Sequence, residues 1–99
     1  MSRQPRLDAP GVLHHVMARG IERRKIFRDD SDCEEFLKRF SRLAEAGNLV
    51  AYAWSLMPNH YHLLVRTGSK SLPGNMRSLM TRYAGYYNRR HKRHGHLFQ

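Results

Sequence analysis

The sequence predicts an α+β domain with an antiparallel sheet and the order strand, helix, strand, strand, helix. Two apolar stretches of strand length, 49–57 and 60–65, are separated only by Pro58-Asn59. Two longer stretches, about 30–46 and 71–92, repeat apolar residues at steps of three and four, and a short run with two β-branched residues at 12–18 precedes them. This order is the first five of the six elements of a split β-α-β, ferredoxin-like unit. The sixth element, a last sheet strand, is missing from the pattern or has to come from a partner chain, and an unpaired strand edge invites such pairing.

Residues 1–10 are basic and contain two prolines, so they are expected to form a loose arm; residues 11–99 make one domain. Val12 to Ala18 reads as a first strand closed by a turn at Arg19-Gly20. Its His14 and His15 point to opposite faces, and one of them could join a site. The connection from Ile21 to Arg28 is too short and too charged to be core. Asp30 and Ser31 offer helix caps, Ser31 with Glu34 forms a capping box, and the acidic run 29–35 suits the positive end of a helix dipole. Phe36, Leu37, Phe40, Leu43 and Ala44 then line one helical face, and Gly47-Asn48 supplies the stop. Cys33, in the first turn, reads as a filler residue.

Leu49 to Met57 alternates small residues with Val50, Tyr52, Trp54 and Leu56, which predicts a strand with one large-residue face. It leads through Pro58-Asn59 into the next strand, and the tight connection predicts an antiparallel hairpin. Ser71 caps the second helix, where Pro73 is tolerated in the first turn. Leu72, Met76, Leu79, Met80, Tyr83 and Tyr87 form its apolar stripe, with Arg77, Arg82, Arg89 and Arg90 mostly off it. Gly85 lies one turn inside that stripe and suggests the close approach of another backbone.

Lys and Arg number 18 against 8 Asp and Glu, a formal charge of +10, so a polyanion is the expected partner, nucleic acid first. Arg23 and Arg24 in the first connection, Arg66 after the hairpin, and the cationic run around Arg89, Arg90 and Lys92 are candidate phosphate contacts. No run approaches the roughly 20 apolar residues of a membrane span, and the N-terminus lacks the apolar segment of a secretory signal. A lone cysteine builds no disulfide framework and fits a reducing, cytoplasmic location.

Met57-Pro58-Asn59-His60-Tyr61-His62-Leu63-Leu64-Val65 carries the chemistry. On a strand His60 and His62 share a face about 6–7 Å apart while Tyr61 points away. Two neutral imidazoles converging from a rigid strand can hold a divalent metal, and Leu63, Leu64 and Val65 anchor that strand. Such a pair can also line a solvated strand face, but the Pro-Asn turn places it at the strand entrance, where functional groups are displayed. Imidazole chemistry alone permits Zn, Mn or Fe.

In order along the chain, His15-Val16 with Arg19-Gly20, Ile26-Phe27 before the acid-rich helix start, the histidine strand, and Tyr83-Ala84-Gly85-Tyr86-Tyr87-Asn88-Arg89-Arg90-His91 with Gly95-His96-Leu97-Phe98-Gln99 resemble the single-tyrosine HUH transposases. The resemblance is to the IS200-like group and its REP-associated tyrosine transposase branch, and covers nearly everything from residue 11 onward. It implies cutting and rejoining of single-stranded DNA beside a hairpin through a 5′-phosphotyrosine link. It further implies His60 and His62 as metal ligands, Tyr83 as nucleophile ahead of Tyr86 and Tyr87, Asn88 as third ligand, Mg or Mn as the metal, a homodimer, and action on bacterial nucleoid DNA. Arg19, Arg23, Arg24, Arg66, Arg77, Arg82, Arg89, Arg90 and Lys92 would grip the strand. In the family Gly-His-Leu-Phe-Gln is followed by a Gly-Arg step and a further strand, whereas this chain stops at Gln99. Two other readings stand beside this one: a DNA-binding remnant without turnover, and a ferredoxin-like RNA-binding module. The second is weakened because histidines replace the aromatic pair on which such sheets stack bases.

Overall fold

The computed structural model describes residues 11–68 and 71–99; the expected basic arm lies outside the described residues. The elements are β1 (Leu13–Arg19), a 3-10 turn (Ile21–Arg23), α1 (Asp30–Glu45), β2 (Leu49–Met57), β3 (His60–Thr67) and α2 (Leu72–Arg90). The sheet order is β1-β3-β2 and both pairings are antiparallel, so the histidine strand is central. This is the expected α+β order. Along β3, Tyr61, Leu63, Val65 and Thr67 are buried while His60, His62 and Leu64 are half-buried and Arg66 is exposed. Both helices therefore lie on the Tyr61 side. The other side of the sheet is open among the described residues.

The core sits between that sheet face and the helices. Phe36 and Phe40 of α1, Leu72, Leu79, Tyr83 and Tyr87 of α2, and Val16, Leu49, Tyr61, Leu63 and Val65 of the sheet are its main members. Each large side chain removed from water in this way contributes roughly 1.5–3 kcal/mol before the cost of ordering the chain. Phe36 is the hub, with ring contacts to Phe27, Phe40, Tyr61 and Tyr83.

Several local expectations are corrected. The cap of α1 is Asp29, one residue earlier than expected, and its carboxylate accepts from Asp32 N–H while Asp32 accepts from Arg28 N–H. The Ser31–Glu34 box is therefore not the cap. In β2 the register slips between Ala51 and Ala53, a bulge at Tyr52. The single large-residue face is thus split: Trp54 packs edge-on to Phe40 on the helix side, while Tyr52 turns to Arg66 on the open side. A Cβ on Gly85 meets only the end of the Arg89 side chain at 3.3 Å, so no other backbone approaches there. Gly20 and Gly68 are the glycines that close approach requires, since a Cβ would meet the Arg24 carbonyl oxygen at 2.0 Å in the first and the Gly47 carbonyl oxygen at 2.2 Å in the second.

No fourth strand forms among the described residues. Its place is nonetheless marked: Phe98 bridges Gly20 in antiparallel sense, and Gln99 N–H donates to Arg19 O at 2.9 Å, along the outer edge of β1. Beside that edge, Val16, Ala18, Tyr61, Leu72, Met76 and Met80 line an apolar groove.

Candidate functional site on the open sheet face

The open face is built from alternate residues of three strands. β1 contributes Leu13, His15, Met17 and Arg19, β3 contributes His60, His62, Leu64 and Arg66, and β2 contributes Val50, Tyr52, Ser55 and Met57. Antiparallel register sets Arg19 opposite His60 and Met17 opposite His62, with His15 on the diagonal. His60 and His62 lie with ring centroids 5.1 Å apart. His15 stacks on His62 at 5.2 Å with the rings 16° from parallel, and His15 Nε2 lies 3.0 Å from His62 Nδ1. Of the two candidates in β1, His15 joins the pair and His14 is buried on the helix side.

Asn59, which sequence reasoning passed over as a turn residue, holds His60. Its Oδ1 lies 2.9 Å from His60 Nδ1, and its Nδ2 donates to Arg23 O at 3.5 Å. The hairpin tip is tied down further, since Pro58 O accepts from Ile26 N–H and Phe27 N–H, and Gly20 N–H donates to Asn59 O. Arg19, Arg23, Asn59 and His60 border a cleft of about 340 Å³. The strand residues of this face include no carboxylate, while six of the chain's eight lie between 29 and 45, in or beside α1. The face is therefore electropositive and partly apolar, with Leu13, Met17, Val50, Tyr52 and Met57 exposed.

The donor set fits a divalent ion. An imidazole binds metal through one nitrogen while a neighbour holds the other, and both histidines have Nδ1 occupied and Nε2 left for another partner. Among the described residues no group of three or more His, Cys, Asp or Glu side chains converges on one point.

Tyr83 is not brought to this face. It is 0 % exposed, in the layer between α2 and the sheet, and its hydroxyl donates to the Ile26 carbonyl. Burial, then the nearby Asp32 carboxylate, pushes its phenol far above the ordinary tyrosine range, so it resists forming the phenolate that attack requires. The sheet lies between it and His60 and His62. Tyr87 is also buried, donating to Lys25 O, and Tyr86 donates to Asp32. Asn88 lies at the end of α2, where its amide donates to Gly95 O and accepts from Arg93. Tyr52 alone of the five tyrosines shares the histidine face, and its hydroxyl accepts from Arg66 Nε at 3.1 Å.

The expected phosphate contacts divide in the same way. Arg19 is on the open face and Arg23 is in the loop at its rim, while Arg24 follows Arg23 in that loop. Arg66 is on the face but committed to Gly11 O and Tyr52. Arg77, Arg82, Arg89 and Lys92 belong to α2 or its end, on the helix side, where Arg82 donates to Ser78. Arg90 is paired with Asp29 and Asp32, at 2.6 and 2.7 Å.

The profile of the family described as "Transposase IS200 like" matches residues 10–99. The chain belongs to the IS200-like transposase family. A solved REP-associated tyrosine transposase bound to a REP hairpin shares the fold with a TM-score of 0.76 at 12% identity, over 100% of this chain and 58% of that one. A Deinococcus radiodurans R1 protein assigned as a transposase matches with a TM-score of 0.64 at 18% identity, over 89% of this chain and 68% of its own. This transposase chain thus spans little more than half the length of the first of these. No curated protein matches it. Among the described residues no helix is long and apolar enough to cross a membrane.

Proposed function

We propose that this is the metal- and strand-binding domain of a transposase that cuts and rejoins single-stranded DNA beside a hairpin through a 5′-phosphotyrosine link. The observation that carries the reading is the pair of imidazoles with both Nδ1 atoms occupied, on a carboxylate-free face flanked by Arg19 and Arg23. Bound by His60 and His62, Mg²⁺ or Mn²⁺ would neutralise a non-bridging phosphate oxygen and stabilise charge on the leaving 3′ oxygen. Arg19 and Arg23 hold the neighbouring phosphates, and the exposed Tyr52 and Met57 give bases an apolar surface. The attacking phenol is a tyrosine other than Tyr83, presented to the open face. The homodimer that the resemblance implies is one way of bringing it there.

A second reading, strand binding without turnover, is favoured by the burial of Tyr83. Both are tested with labelled hairpin-flanked single strands and Mn²⁺, scoring binding and a denaturation-resistant protein–DNA adduct for the parent, His60→Ala, His62→Ala, Tyr52→Phe and Tyr83→Phe. The expected result is Mn²⁺-enhanced binding that both alanine variants lose, and an adduct that Tyr83→Phe retains. Binding without any adduct supports the second reading. An adduct lost only in a folded Tyr83→Phe overturns the assignment of that side chain to the core.

A further inference from the structure

We propose that His15 sets the tautomer of His62, and thereby determines whether His62 can hold a metal. The inference rests on the reading of His60 and His62 as metal ligands. A neutral imidazole has one protonated nitrogen and one lone pair, and the hydrogen bond at one nitrogen fixes which is which. The two histidines of β3 meet this requirement by different means.

At His60 the partner is Asn59 Oδ1, which can only accept, so the ring carries its proton on Nδ1 and its lone pair on Nε2. The amide of Asn59 is oriented by its Nδ2–H donation to Arg23 O. At His62 the partner is another imidazole, His15 Nε2 at 3.0 Å. That bond has two possible directions. If His15 donates, His62 is left with a protonated Nε2 and cannot bind a cation there. If His62 donates from Nδ1, its Nε2 keeps its lone pair, as that of His60 does, and His15 carries its own proton on Nδ1. Metal binding by the pair requires the second direction.

His15 is therefore a positioning residue rather than a third ligand, because its Nε2 is occupied by His62 and no set of three ligands converges among the described residues. Ring stacking at 5.2 Å and 16° also fixes the plane of His62. The device depends on register: His15 faces Leu64, so its ring reaches His62 diagonally across the β1–β3 ladder on the same face.

The test uses Mn²⁺ alone as probe, titrated by electron paramagnetic resonance into the parent, His15→Ala and His15→Gln. In parallel, ¹⁵N imidazole spectra of the metal-free proteins are recorded at about pH 8.5, well above the ordinary imidazole range. His15→Ala is expected to weaken Mn²⁺ binding about 10–100-fold, the usual effect of losing a group that orients a metal ligand. His15→Gln, whose amide oxygen reaches the place of Nε2, is expected to recover most of it. In the metal-free parent the His62 proton is expected on Nδ1, and in His15→Ala it is expected to spread to Nε2. Unchanged Mn²⁺ affinity in His15→Ala, or a parent with the His62 proton on Nε2, overturns the proposal. So does a folded His15→Gln as weak as the alanine variant. If the parent binds no Mn²⁺, the metal reading itself fails, and the spectra still decide between His15 orienting His62 and a chance contact.

Discussion

Tyr83 illustrates how much one side chain's position determines. Its hydroxyl donates to the Ile26 carbonyl inside the core, so Tyr83→Phe leaves that acceptor buried without its donor, at a cost of about 1–3 kcal/mol. Tyr52→Phe, whose hydroxyl meets an exposed arginine, is expected to stay within about 0.5 kcal/mol of the parent. Urea unfolding at neutral pH measures both, and equal stability of the two variants would show that the Tyr83 hydroxyl is not held in the core. The placement was partly legible. Tyr61, Leu63 and Val65 alternate with the histidines, so a helix covering the apolar positions has to lie on the side away from His60 and His62. A tyrosine on that helix's apolar stripe then points toward Tyr61. His15 and Asn59 were harder to place, because the first depends on cross-strand register and the second on a loop some 36 residues upstream.

The elements themselves were legible wherever local pattern decides them. The periodic stripes located both helices, and Pro58-Asn59 located the hairpin. What escaped was long-range. The bulge at Tyr52 has no marker in the strand pattern, and the pairing of Arg90 has none either, because its acidic partners lie about 60 residues earlier. Those partners join the start of α1 to the end of α2. Asp32 is fully buried and accepts from Arg28 N–H, Tyr86, Arg90 and His91. Burial alone would raise its pKa, but the hydrogen bonds from Arg28, Arg90, His91 and Tyr86 outweigh it and hold the carboxyl below its ordinary value of 3.8. Hydrogen bonding to Arg90 brings Asp29 down to about 2. Both folded-state values lie below the unfolded ones, so the stability they contribute is complete above the ordinary carboxylate range. It is lost as pH falls through that range toward about 2. Urea midpoints are therefore expected to fall between about pH 5 and pH 2, with a shallower fall in Asp32→Asn. At neutral pH, Asp32→Ala is expected to cost about 1–3 kcal/mol, since it removes the buried acceptor shared by Arg28 N–H, Tyr86 and His91 while Arg90 keeps Asp29. Parallel pH profiles for the parent and Asp32→Asn would show that the network is not what couples the two helices.

At the scale of the whole molecule, charge is sorted by face. A formal charge of +10 attracts a polyanion to the chain but does not say where it lies. The structure divides the candidate cations into two sets: Arg19 and Arg23 at the rim of the histidine face, and Arg77 and Arg89 on α2, on the opposite side of the sheet. Salt dependence distinguishes them, because each phosphate neutralised on a single strand adds about 0.7 to the magnitude of the slope of log K against log salt. If the strand crosses the open face, Arg19→Gln with Arg23→Gln reduces that magnitude by about 1.4, and Arg77→Gln with Arg89→Gln leaves it unchanged. The measurement is fluorescence anisotropy of a hairpin-flanked single strand over a salt series without divalent metal, so that only side-chain cations contribute. A slope flattened by the α2 pair and not by the rim pair would place the strand on the helix side, away from the imidazoles, and separate DNA binding from the metal chemistry proposed for His60 and His62.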